Sequence, residues 1–223
     1  MTVLTIDTYE AISDFLPLMW PHYEKSGADV VGIERTNRAT RWPKEVPHFA
    51  VGEDTFTCWA AKQDDPYLCN RWLGVIELFL THPYFAKYDD LCLFEWDALF
   101  VKPLPKLDPA IGLCLTKAGG PMAGFKAPIF FHLPWWMDRK RAELILAKGR
   151  DMVAKGDIEH GSVDVFLGLL VHQLGLKWYS IPFYSRNRLD HPTRLAEAKA
   201  AIKEGAYGVH GVRDKAMLDY LFA

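Results

Sequence analysis

The sequence is poor in cysteine, and the four it has are not organised. Cys58, Cys69, Cys92 and Cys114 are scattered, with no C-x-x-C pair and no Cys-dense frame. Structural zinc needs clustered thiolates or imidazoles, and a disulfide scaffold needs density, so both are excluded and reduced thiols are expected. No apolar run approaches the roughly 18–20 residues that span a bilayer. Met1–Asp7 lacks the basic and apolar regions of a signal peptide, so a cytoplasmic location is expected. Also missing are G-x-S-x-G, a P-loop, and G-x-G-x-x-G after a strand, which leaves serine hydrolase, kinase and dehydrogenase chemistry without a motif. No repeat, low-complexity tract or Gly/Ser linker divides the 223 residues, and residues 1–223 are read as one domain.

An excess of one charge is missing too. Asp and Glu number 28 against 26 Lys and Arg, a net charge of −2. A dedicated duplex-DNA binder is usually basic overall. The balance is uneven, however. Residues 1–111 carry 10 Lys/Arg and 17 Asp/Glu, whereas residues 112–223 carry 16 and 11. The second half therefore suits an anionic partner better than the first.

What is present reads as alternating strands and helices, the pattern of an open α/β sheet. Thr2–Ile6 reads as a short strand, and Asp7-x-x-Glu10 as the start of a helix interrupted by Pro17 and Pro21. Ala28–Ile33 is a β-branched buried strand, and Glu34–Glu53 a loop with a strand near Phe49–Val51. Residues 67–81 give the clearest helix, with Leu68, Trp72, Val75, Ile76, Phe79 and Leu80 at helical spacing. Leu91–Phe94 is a buried strand, and Ala98–Val101 a hydrophobic return. Pro128–Met137 is strongly aromatic. Asp138 caps a helix running to about Lys155, and Ser162 caps another over Val163–Leu174 that Gly175 stops. Trp178–Phe183 reads as a strand, and Pro192–Gly205 and Val212–Phe222 as helices.

The most informative stretch is Leu91-Cys92-Leu93-Phe94-Glu95-Trp96-Asp97. Ligands of open α/β sheets bind at the carboxyl ends of strands. Two carboxylates at i and i+2 there can share a hard divalent cation together with substrate phosphates. The chain has one other such pair, Asp157/Glu159, with no buried strand ahead of it. A solvated turn between strands is the structural alternative for Glu95/Asp97. Further on, Asp164 opens the apolar helix that follows Gly161-Ser162. It suits either a macrodipole partner or a base that takes a proton from an attacking hydroxyl. Gly208-Val209-His210-Gly211-Val212 reads as a tight loop carrying one imidazole, whose glycines let backbone approach an ion or phosphate.

Taken in order over roughly residues 28–212, these features resemble a small glycosyltransferase of the GT-A fold. The resemblance implies a single-domain α/β protein, an open mixed sheet flanked by helices. It implies sugar transfer from a nucleotide-diphosphate donor, a UDP-sugar favoured, with Mn2+ or Mg2+ held by a D-x-D type motif. By the resemblance, Glu95 and Asp97 are the motif acids, with Asp97 the direct metal ligand, and His210 completes the metal site. Asp164 is the catalytic base of an inverting transfer. The first motif acid is Glu here, not Asp.

Candidate donor contacts are Thr36, Asn37 and Arg38 after the Val30–Ile33 strand, Arg71 on the following helix, and Trp96. Arg35 and Arg41 extend that basic group. Guanidinium forks suit phosphate, although each arginine singly serves solubility as readily. Candidate acceptor contacts are His132, Trp135 and Trp136 in the run Phe130–Trp136. Neighbouring residues of a strand point to opposite faces, so one of the two tryptophans is expected at a surface or a site mouth. The acceptor is a hydroxyl on a glycan, protein or other molecule, with nucleic acid not favoured. Two other readings compete. A sugar nucleotidyltransferase lacks here its Gly-rich, basic phosphate loop. A carbohydrate- or nucleic-acid-binding module would use the same aromatics without catalysis.

Overall fold

The computed structural model describes residues 1–7, 14–34, 41–51, 67–120, 126–157, 163–185 and 189–223. Strands β1 (Thr2–Asp7), β2 (Asp29–Glu34), β3 (His48–Ala50), β4 (Asp90–Glu95), β6 (Leu113–Gly119) and β7 (Phe130–Asp138) form one six-stranded sheet in the order β3-β2-β1-β4-β7-β6. β1 to β4 run parallel, while β7 is antiparallel to both β4 and β6. β5 (Ala98–Phe100), β8 (Tyr184–Ser185) and β9 (Gly208–His210) make a second sheet in the order β5-β9-β8. Helices α1 (Leu16–Glu24), α2 (Tyr67–Thr81), α3 (Arg139–Lys155), α4 (Val163–Gln173), α5 (Pro192–Lys203) and α6 (Lys215–Phe222) flank them. The α/β open mixed sheet expected from the sequence is the one found.

Both faces of the large sheet are covered. Leu91, Leu93, Trp135 and Met137 pack on one face against α2, α3 and α4. Leu4, Ile6, Cys92, Phe94 and Trp136 pack on the other with α1 and residues of the small sheet. Hence β4 reads as an unbroken apolar run: alternation vanishes when neither face meets water. The same covering corrects the expectation for Trp135 and Trp136. They do point to opposite faces, yet each is only 2% exposed. Their indole N–H groups are satisfied internally, Trp135 Nε1 by the Phe131 carbonyl at 3.1 Å and Trp136 Nε1 by Asp90 Oδ2 at 2.8 Å.

Local chemistry explains the helix ends. Asp138 accepts the Arg141 backbone N–H at 2.8 Å, and Gly156 closes α3 at φ 67° in the left-handed region. α1 starts at Leu16, and Pro17 falls in its first turn, where a missing N–H costs nothing. The start expected near Asp7 falls partly on residues 8–13, outside the described ones, as does the cap Ser162. The basic face of α3 is more than solvated charge. The Arg139 guanidinium lies over the Phe79 ring at 4.5 Å and donates to the carbonyls of Tyr88 at 2.9 Å and Phe85 at 2.5 Å.

Two elements differ from expectation. Trp178–Phe183 is not a continuous strand; only Tyr179 makes a bridge there, with Cys114. Gly208–His210 is a strand, not a tight loop. A Cβ at Gly208 would collide with the Leu99 carbonyl oxygen and the Phe183 ring, and Gly211 takes φ 98° just after His210. Both glycines thus serve backbone packing and a turn.

Candidate functional site

The parallel strands β1 and β4 end side by side, with Asp7 in register with Glu95. Glu95 closes β4, and Asp97 follows in the turn to β5. That turn is clamped onto the β9 segment. Ala98 pairs with His210, and the Asp97 carbonyl accepts the N–H groups of Gly211 at 2.9 Å and Val212 at 2.8 Å. His210 is thereby delivered between the two acids. Its Nε2 lies 2.9 Å from Glu95 Oε2 and 3.1 Å from Asp97 Oδ1. The ligand atoms of the three residues all lie within 4.8 Å of one another. Asp97 and His210 are buried, while Glu95 is 37% exposed and forms the open side of the cluster.

The electrostatics follow from this arrangement. Burial works against the charge of His210, but the Asp97 and Glu95 carboxylates outweigh it and hold its pKa well above the usual imidazole value. Burial raises the Glu95 carboxyl, the His210 interaction opposes this, and the charges of Asp97 and Asp164 add to the rise. For Asp97 burial also pushes upward, yet His210 and Arg213 prevail and hold it below the ordinary carboxylate value. Arg213 Nε lies 2.9 Å from Asp97 Oδ2. Without a metal the cluster is therefore an imidazolium between two acids.

Two carboxylate oxygens and one imidazole nitrogen are a donor set for a divalent cation of the Mn2+ or Mg2+ class, with waters and phosphates completing the sphere. The structure supports the fit at a second level. Ser185 Oγ stands 3.4 Å from His210 Nδ1, where it can accept Nδ1–H and leave Nε2 for a metal.

A second pair adjoins the triad. β7 runs antiparallel to β4, so its beginning lies at the edge where β4 ends. His132 sits there, its ring centroid 5.8 Å from that of His210. Asp164, in the first turn of α4, places Oδ2 2.8 Å from His132 Nδ1. α4 gets this close because Gly168, one turn further on, lets the helix touch the Ile129 carbonyl. Glu95, Asp97, His210, His132 and Asp164 thus gather in one place.

The remaining sequence candidates are not part of this cluster as described. Thr36, Asn37 and Arg38 fall outside the described residues. Arg71 is 2% exposed, and its guanidinium is engaged by Asp7 and the Val51 carbonyl, so it is neither a solvated charge nor an open phosphate fork. Trp96 is half-buried against α1. It meets Phe15 edge to face at 6.2 Å, and its carbonyl accepts Tyr23 O–H at 2.6 Å. Trp135 and Trp136 are core residues. Arg41 pairs with Asp14 at 3.6 Å on the surface.

Sequence reasoning missed Ser185 and Arg213, and nothing local marks either. Comparison with protein-family models and with curated proteins gives no match. Among the described residues no helix is long and apolar enough to cross a membrane.

Proposed function

We propose that the protein is a metal-dependent glycosyltransferase, moving a sugar from a nucleotide-diphosphate donor, a UDP-sugar, to an acceptor hydroxyl with inversion. The observation that carries this reading is the convergence of Glu95, Asp97 and His210 at the carboxyl end of β4, beside the Asp164–His132 pair. Expelling a diphosphate needs charge stabilisation on the leaving group, and taking up a hydroxyl needs a base. A Mn2+ or Mg2+ ion held by Glu95, Asp97 and His210 supplies Lewis acidity toward the diphosphate. Ser185 orients His210, and Arg213 steadies Asp97 from the exposed side. The Asp164–His132 pair takes the acceptor proton, which makes direct displacement at the anomeric carbon possible. Trp135 and Trp136, expected as acceptor contacts, are buried, so neither this reading nor the binding-module alternative draws on them.

The test is thermal stability with Mn2+, alone and with each of a panel of nucleoside diphosphates. A ligand of the native state at 100 times its Kd stabilises by about 2.7 kcal/mol. The expected result is a shift that needs both Mn2+ and UDP and is lost in Asp97→Asn. No shift with any diphosphate in the presence of Mn2+ overturns the reading.

A further inference from the structure

Asp164 has a close partner in His132. Its Oδ2 is 2.8 Å from His132 Nδ1, with the two side chains only 25% and 20% exposed. A carboxylate at Nδ1 selects the tautomer with the proton on Nδ1 and a lone pair on Nε2. Nε2 of His132 makes no hydrogen bond or ion pair among the described residues. The imidazole also stands beside the triad's histidine, with ring centroids 5.8 Å apart. Its place is set by packing: Phe131 and Leu133 on either side are buried, which anchors β7 around it.

We propose that His132, not Asp164, is the catalytic base that receives the acceptor's proton, and that Asp164 is a positioning residue acting through it. This rests on the glycosyl-transfer reading above. As the acceptor oxygen bonds to the anomeric carbon, its O–H bond breaks and the proton passes to His132 Nε2. The anomeric C–O bond to the donor breaks in the same displacement, and its electron pair leaves on the diphosphate oxygen. The imidazolium so formed is stabilised by the Asp164 carboxylate on Nδ1–H.

The experiment has a spectroscopic and a kinetic arm, with binding as the control between them. In protein labelled with 15N-histidine and loaded with Mg2+ and UDP at pH 7.5, His132 is assigned by comparison with His132→Gln. The expected spectrum shows Nδ1 protonated and Nε2 bare, and Asp164→Ala shifts the proton to Nε2. Release of UDP from UDP-glucose, with Mn2+ present and water as acceptor, should fall about a hundredfold or more in His132→Gln. Stabilisation by Mn2+ with UDP should stay as in wild type, and added imidazole should restore part of the rate in His132→Gly. A protonated Nε2 in the wild-type complex, or a wild-type rate of UDP release in His132→Gln, overturns the assignment while leaving the glycosyl-transfer reading in place. A wild-type protein that Mn2+ with UDP does not stabilise, and that releases no UDP, overturns that reading and this inference with it.

Discussion

Asp97 Oδ1 and His210 Nε2 lie 3.1 Å apart, both buried, on two segments that the backbone also ties together. The contact is an ion pair when the site holds a proton. On the proposed reading the same two atoms would hold the cation, so that proton and metal would compete for one position.

Metal uptake should release a proton. His210, raised well above 6.5, must give up its proton to become a ligand. Apparent affinity for Mn2+ should rise with pH until His210 has titrated. Calorimetry at pH 7 in two buffers of different ionisation enthalpy should show about one proton released per ion. Uptake without proton release would remove His210 from the ligand set.

In metal-free protein the cluster should make stability pH-dependent at both ends. The folded pKa of His210 exceeds its unfolded value, so its stabilisation is complete below about pH 6.5 and is lost as pH rises through the folded value. Asp97 is depressed below 3.8, so its contribution is present above that value and is lost as pH falls through the folded one. Asp97→Ala leaves a buried imidazolium short of a partner and should cost about 3 kcal/mol in urea unfolding at pH 6. His210→Ala should cost a similar amount. The double variant should cost less than their sum, with about 1–3 kcal/mol of coupling. Additive losses would mean that the pair contributes nothing of its own.

His22 offers a test away from the site. Burial, helped by the Lys25 charge, brings its pKa down to about 4, and its ring stacks on Phe222 at a centroid distance of 4.7 Å. Between pH 6.5 and 4 the unfolded chain binds a proton that the native protein refuses, so stability falls as pH falls through that window. His22→Phe keeps an aromatic ring and removes the proton. The melting temperature of the variant relative to wild type should therefore rise between pH 7 and pH 4.5. Parallel curves would show that His22 titrates alike in both states.

The strands and helices with one strong local pattern were legible. β4 and α2 follow from an apolar run and a helical stripe, and α3 from the cap Asp138. β6 was not, because Leu113–Leu115 is brief and bulges interrupt its register between Leu115 and Thr116 and between Lys117 and Gly119. β9 was read as a loop because glycine usually marks one, whereas Gly208 is needed where Leu99 and Phe183 crowd the backbone. For the site, the position of Glu95 and Asp97 at a strand end pointed to a shared centre. Arg213 and Ser185 reach it only through the pairing of β8 and β9 and the turn after β9, which no local pattern encodes. His132 was recognised for its aromatic company. Its partner Asp164 comes from a separate helix, so their contact belongs to tertiary structure.

Gly168 links stability to that contact. A methyl group there would run into the Ile129 carbonyl oxygen, a backbone atom that no rotamer change can move aside. Gly168→Ala should therefore cost about 1–3 kcal/mol, despite alanine's better helix propensity. Asp164 lies one turn earlier on α4, so relief of the clash by lifting the helix should carry its carboxylate away from His132. The 15N signature of His132 should then move toward that of Asp164→Ala. Gly120→Ala is the control, since a Cβ there meets nothing within 4 Å, and its melting temperature should match wild type within about 0.5 kcal/mol of stability. A Gly168→Ala protein as stable as wild type, with the His132 tautomer unchanged, would show that α4 is not held at this distance by Gly168.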